Sequence, residues 1–266
     1  MNDLVDHAGL VFVVSFLTLL LSVLVGALLR RRRRNLDENL HENYTVILGA
    51  ALTLLGLIVG FSFSMATNRY DQRKNYEEAE ANAIGTEYLR ADFLAAAEAE
   101  KVRGLLAKYV DERILFYTDR DKQERGRVNA VTAQIQNELW SVVRTAAASQ
   151  PTPVNALVVS GMNDVLNSQG YTQAAWWYRI PRAAWVLMIL IAACCNFMVG
   201  YGIRDLKTGF KLVPILPLII SIAIYFIADI DSPRGGEVRI VPVNLMSLSE
   251  SIRAQANMVP RQTERK

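Results

Sequence analysis

Residues 44–93 read YTVILGAALTLLGLIVGFSFSMATNRYDQRKNYEEAEANAIGTEYLRADF. Between Thr45 and Thr67 there is no Asp, Glu, Lys, Arg or His. At ~1.5 Å per residue, a helix over that run crosses a hydrocarbon core ~30 Å thick. Charges then arrive at Arg69, Asp71, Arg73 and Lys74 with no proline between. The spacing therefore predicts one helix that leaves the bilayer and continues as a charged helix to about Phe93.

Two faces of the apolar half stand out. Gly49, Thr53, Gly56, Gly60 and Ser64 recur at three or four residues, and Gly56 to Gly60 is a GxxxG. Small residues in such a row let another backbone approach closely. Nearly opposite lie Leu54, Ile58, Phe61 and Met65, an apolar stripe. Either face fits ordinary helix packing and lipid contact, or one of them lines an axis shared by several copies.

The 266 residues carry a formal charge of only +3 and are 52% hydrophobic, values that an apolar soluble domain would also show. The distribution decides against that. Apolar residues pool in four charge-free blocks, 9–29, 45–67, 183–203 and 212–228. The expectation is an all-α integral membrane protein with four transmembrane helices and a long helical-bundle insert between the second and third. Its parts are a first hairpin (1–67), an extramembrane bundle continuous with the second span (68–182), a second hairpin (183–230) and a C-terminal arm (231–266). The first block has its positive charges after it and no small-residue cleavage site, so it is expected to be retained rather than removed as a signal peptide.

Lys and Arg are missing from the tail MNDLVDH, number five in Arg30 to Arg34 and three at Arg204, Lys207 and Lys211. The positive-inside rule makes loops 30–44 and 204–211 cytoplasmic and puts 68–182 outside. Beside a span, the arginine run reads as a topology signal or a contact with anionic lipid, and not as a nucleic-acid site.

Within the insert, Ala79, Asn82, Thr86, Leu89 and Phe93 form a coiled-coil-like seam, with Asn82 and Thr86 as polar residues that set register or line a hydrophilic path. Val102, Leu105, Leu106, Tyr109, Val110, Ile114 and Tyr117 make an amphipathic stripe. Val128, Val131, Ile135, Leu139 and Val142 give a second. PTPVNAL opens a third helix, with Thr152 as N-cap and Pro153 at its first position. Trp176, Trp177, Tyr178 and Trp185 are placed as an interfacial aromatic belt at the third span, and Asn196 inside it is expected to bond a neighbouring helix. After the fourth span, Asp229, Asp231, Pro233, Arg234 and Gly236 stand in DIDSPRGG. The two carboxylates suit either a cation or an ion pair with Arg234 around a tight turn. EVRIVPV is read as a short strand or extended arm, and NLMSLSESIRAQANM as a surface helix.

The run from Gly60 to Phe93, RIPRAAW at 179–185 and IADIDSPRGGEVRI at 227–240 resemble the bestrophin-like family, a domain-of-unknown-function family of bacterial membrane proteins, and the order of parts agrees over nearly the whole chain. The helix ending in GF, followed by Asn68, Tyr70, Asp71 and Arg73, is similar to the corresponding pattern of the bestrophins, which are pentameric anion channels. The resemblance implies a homo-oligomer, a pentamer by that likeness, in a bacterial inner membrane and conducting small ions. It also implies a cytosolic insert, against the charge count; as direct evidence on this chain, the charge count outweighs the likeness.

No GxxxxGK[ST], GxGxxG after a strand, HExxH, CxxC or GxSxG occurs, and the two histidines, His7 and His41, lie at membrane edges. Cys194 and Cys195 are adjacent, which suits neither a metal motif nor a disulfide framework. No catalytic residue, metal or cofactor is assigned, and the expected partners are membrane lipids and further copies of the chain. The first functional reading is a channel or pore with the second span around its axis. The alternatives are a non-conducting scaffold or sensor that binds a protein through the Val102 to Tyr117 stripe, and a membrane-embedded enzyme or lipid-handling protein.

Overall fold

A computed structural model describes residues 7–32, 38–203 and 212–258. The acidic tail before His7, Arg33 and Arg34, the loop bearing Arg204, Lys207 and Lys211, and the RQTERK end lie outside the described residues. The elements are α1 (Ala8–Arg32), α2 (Glu38–Arg90), a 3₁₀ turn (Ala91–Phe93), α3 (Ala96–Thr118), α4 (Lys122–Ser149), α5 (Pro153–Trp177), α6 (Arg182–Gly202), α7 (Ile215–Asp231) and α8 (Val243–Met258). The protein is all-helical, with no strand among the described residues. EVRIVPV forms no strand: it begins in a bend at Glu237 and Val238, and its last residue, Val243, opens α8. The expected run through the membrane edge into a charged helix is realised in the 53 residues of α2.

Three stretches, Ala8–Arg31, Asn43–Phe93 and Pro153–Gly202, hold segments long and apolar enough to cross a membrane. The expected fourth crossing is the 17-residue α7, about 26 Å long at ~1.5 Å per residue.

The chain divides into two compact units, 1–70 with 178–239 and 71–177 with 240–266. In the first, α1 packs on α6 and α7. Leu19, Leu55, Ala66, Met188, Ala192 and Ile224 make up its core. The closest helix approach is at two glycines. A Cβ on Gly26 would meet the Phe197 carbonyl, and one on Gly200 would meet the Val23 carbonyl. Asn196 is fully buried, and its amide donates to the Ala192 carbonyl of its own helix at 2.8 Å. That corrects the expected bond across helices: with one turn of backbone within reach, the side chain satisfies its donor locally.

In the second unit, α3 packs on α4, α4 on α5 and α8 on α3. The α3 stripe is its core: Val102, Leu106, Tyr109 and Val110 are fully buried. On α4 the buried line is Val128, Ile135, Leu139 and Val143. On α5 it is Val158, Met162 and Val165, while Leu157 is exposed. Thr152 caps α5, its hydroxyl accepting the Asn155 N–H at 3.1 Å. The expected aromatic belt is split. Trp177 and Tyr178 are exposed, Trp185 is buried in the first unit's core, and Trp176 sits in the second unit's core against Phe116 and Tyr117, with ring centroids 5.1 and 5.4 Å away. The surface helix is α8, and it is anchored rather than free: Leu245 is fully buried and Leu248 packs at Gly85.

Candidate functional site

The membrane half of α2 buries one line of residues, Leu55, Ser62 and Ala66, within the chain. Its two marked faces stay open. Leu54, Phe61 and Met65 are exposed, and Ile58 is half-buried against the core. Gly49, Gly56, Gly60 and Ser64 are exposed as well, and a Cβ on any of the three glycines would meet nothing within 4 Å. Among the described residues, therefore, nothing packs against the glycines of the small-residue row. The close backbone contact is made at Gly26 and Gly200, which the sequence reading passed over because neither belongs to a GxxxG.

Beyond the span, Asn68 and Asp71 are exposed, Tyr70 is half-buried, and Arg73 is buried with its Nε donating to the Ala175 carbonyl at 3.3 Å. The seam Ala79, Asn82, Thr86, Leu89 and Phe93 is exposed along its whole length. Asn82, Thr86 and Leu89 border a groove of about 430 Å³ between α2 and α8, with Asn244, Ser251 and Gln255 opposite.

The buried line of the same helix is Arg73, Glu77, Glu80, Ile84, Glu87 and Ala91, again at spacings of four and three. Charged residues at that spacing are usually a solvated face, so nothing in the local pattern marks them as core. Arg73, Glu77 and Glu80 find their partners far along the chain. Glu80 is ion-paired with Arg113 Nε and also accepts from Tyr117 and Thr172, at 3.4 and 3.0 Å. Burial works against the Arg113 charge, and the facing Glu80 outweighs it, so the guanidinium is held above its ordinary pKa. Burial and the same carboxylate push the Tyr117 phenol up. Glu77 accepts the Leu245 N–H at 2.9 Å and the Asn244 amide at 2.7 Å. It thereby sets a negative charge at the start of α8, where the first-turn N–H groups point.

The family-motif residues in the last turn of α7 and in the turn after it form a lock on the chain's direction. Asp231 is buried and accepts the Ile180 N–H at 3.0 Å. That joins IADIDSPRGGEVRI to RIPRAAW at the start of α6, where Pro181 brings no capping side chain. Asp229, also buried, accepts the Glu237 and Val238 N–H groups at 2.7 and 2.9 Å. Ser232 accepts the Gly235 N–H at 3.1 Å. Gly236 is required here, because a Cβ would run into the Asp229 carbonyl and carboxylate. Pro233 and Arg234 lie half-buried in the turn. Carboxylates that accept backbone N–H groups hold a corner; each such charge-assisted bond contributes roughly 1.5–3 kcal/mol.

Helices long and apolar enough to cross a membrane, in an otherwise all-helical chain, define an integral membrane protein rather than a soluble bundle. The sequence matches the Bestrophin-like domain over residues 13–245, and the chain belongs to that family. The structure of a bacterial bestrophin homologue from Klebsiella pneumoniae superposes with a TM-score of 0.66 at 10% identity, over 93% of this chain and 99% of that one. Two mutant structures of a bestrophin homologue from the same organism give 0.63 and 0.62 at 11% and 10% identity, covering 91% and 92% of this chain and 98% of theirs. At such identity the likeness establishes the fold. No curated protein matches in sequence.

Proposed function

We propose that the protein is a homo-oligomeric ion channel or pore of bestrophin-like type, with the membrane half of α2 around the axis. One observation carries this reading: that half of α2 is covered on a single line within the chain, while its glycine row and its Leu54, Phe61 and Met65 stripe both remain uncovered. A lipid-facing helix has no need of a row that admits another backbone; an assembled one does. In this arrangement Ile58, Phe61 and Met65 form an apolar constriction that gates by dewetting. The pentamer implied by the bestrophin resemblance is the subunit number to test first.

The reading includes four membrane crossings, with α7 as the shortest, in a bacterial inner membrane. Pro214, the residue before α7, frees the start of a membrane helix, a feature that neighbouring helices can accommodate. The domain scheme of two hairpins, a bundle insert and an arm is retained, with loops 30–44 and 204–211 cytoplasmic and 68–182 outside. The protein is proposed to work without catalysis, metal or cofactor. Partner binding through the Val102 to Tyr117 stripe loses its surface, because those residues are the second unit's core.

The test is anion flux into vesicles loaded with purified protein, together with particle images for the subunit count. Several subunits around a hole, and flux that Phe61→Ala increases, are expected. Single subunits, or vesicles as tight as protein-free ones with both the native chain and the variant, would overturn the proposal.

A further inference from the structure

We propose that Glu87, Arg90 and Gly161 form a proton-operated latch between α2 and α5: the helices lock while the Glu87 carboxyl is neutral, and its ionisation loosens them.

Glu87 is fully buried, yet neither of its oxygens receives a hydrogen bond. Its one ion-pair neighbour among the described residues, Arg90 Nη1, stands 3.9 Å away on a side chain that is 30% exposed. The contrast with the same buried line is sharp in chemistry, since Glu77 and Glu80 are each supplied with two or more donors. Space for the carboxyl exists only because residue 161 is glycine. A Cβ there would collide with Glu87 Oε2 and Arg90 Nη1.

Charged groups on the other helices of the unit do not rescue the anion. Asp164 on α5 adds negative charge. Arg103 on α3 is taken by Asp92 of the 3₁₀ turn and lies over the Tyr88 ring. On α8, Arg253 is held by Asp111, and Glu250 is exposed. Burial, opposed by Arg90 and aided by Asp164, raises the Glu87 pKa to about 8. A carboxyl in such a place changes charge near neutrality. Once ionised it must draw Arg90 inward or admit water, and both disturb the contact at Gly161. Because α2 also supplies the helix of membrane length, loosening its charged half gives protons a lever on that helix. The latch holds or fails whether or not the protein conducts.

Hydrogen exchange on the full-length protein in detergent tests it, with rates corrected for intrinsic pH dependence. Native protein is expected to lose protection around residues 83–91 and 155–165, on the order of tenfold, between pH 6 and pH 9. Glu87→Gln should show equal protection at both. Glu80→Gln, which strips Arg113 of its partner, should loosen the unit at both pH values alike. Equal protection in the native chain, or an undiminished pH-dependent loss in Glu87→Gln, would overturn the latch. Should Glu87→Gln fail to fold, an infrared titration of the native protein decides. A buried carboxylic C=O band that vanishes between pH 6 and 9 is expected, and its absence refutes the proposal.

Discussion

Arg113 is fully buried, with its Nε on Glu80 and its guanidinium 4.3 Å over the centre of the Phe116 ring. Removing one member of such a pair leaves the other charge in a medium that cannot solvate it, so the cost is larger than the pair's own net contribution. Arg113→Met is therefore expected to destabilise the second unit by about 3–5 kcal/mol. Denaturant unfolding followed by fluorescence of Trp176, which packs beside Tyr117, would register it. Glu87 sets the pH dependence with the opposite sign from an ordinary paired carboxylate. Its pKa rises from the usual 4.5 to about 8 on folding, so the folded form holds the extra proton between those values. By linkage, its contribution to stability is present below about pH 4.5 and is lost as pH climbs through about 8. Melting temperatures taken from pH 5 to 9 should decline in the native protein and decline less in Glu87→Gln. An equal decline in both would assign the effect to other groups.

Close helix approach separates two kinds of glycine. At Gly200 a Cβ would press on the Val23 backbone, which cannot rotate away, whereas at Gly56 it would enter open space. Gly200→Ala is expected to cost roughly 1–3 kcal/mol through overpacking, seen as a lower melting point in detergent. Gly56→Ala should leave the single chain's fold unchanged and lower the subunit count by size exclusion with light scattering. The elements themselves were largely legible in the sequence. The α3 stripe, the Thr152 cap and the unbroken α2 follow from periodicity, a capping residue and the lack of proline, all local signals. What was not legible depends on distant neighbours. Glu80 looks solvated until Arg113, 33 residues on, and Thr172, 92 residues on, close over it. Trp176 and Trp185 look interfacial by composition, because the pattern of a belt and that of a core aromatic coincide within a few residues. Gly26 and Gly200 belong to no GxxxG, so only the packed pair reveals them. Asp229 and Asp231 were recognisable as a motif, yet their use of backbone N–H donors depends on where the chain turns after α7.

At the scale of the whole molecule, charge and kinship pull in opposite directions. Arg30 to Arg34 argue that the loop after α1 is cytoplasmic. The bestrophin resemblance would instead turn the second unit inward. Fusions to a reporter active only outside the cytoplasm, placed at Gln150, are expected to be active; silent fusions there, with active ones in 30–44, reverse the orientation. Assembly can be tested independently of sidedness, because the open surfaces of the first unit differ in kind. Leu21 on α1 is 60% exposed and sits among other large side chains, which suits lipid. Gly60 on α2 is exposed in a row of small residues, which suits a second copy. With Cys194 and Cys195 replaced by alanine, a cysteine introduced by Gly60→Cys should cross-link between chains on oxidation in native membranes. Leu21→Cys should remain single. Cross-links at Leu21 with none at Gly60 would place α2 on the lipid-facing rim and remove it from any shared axis.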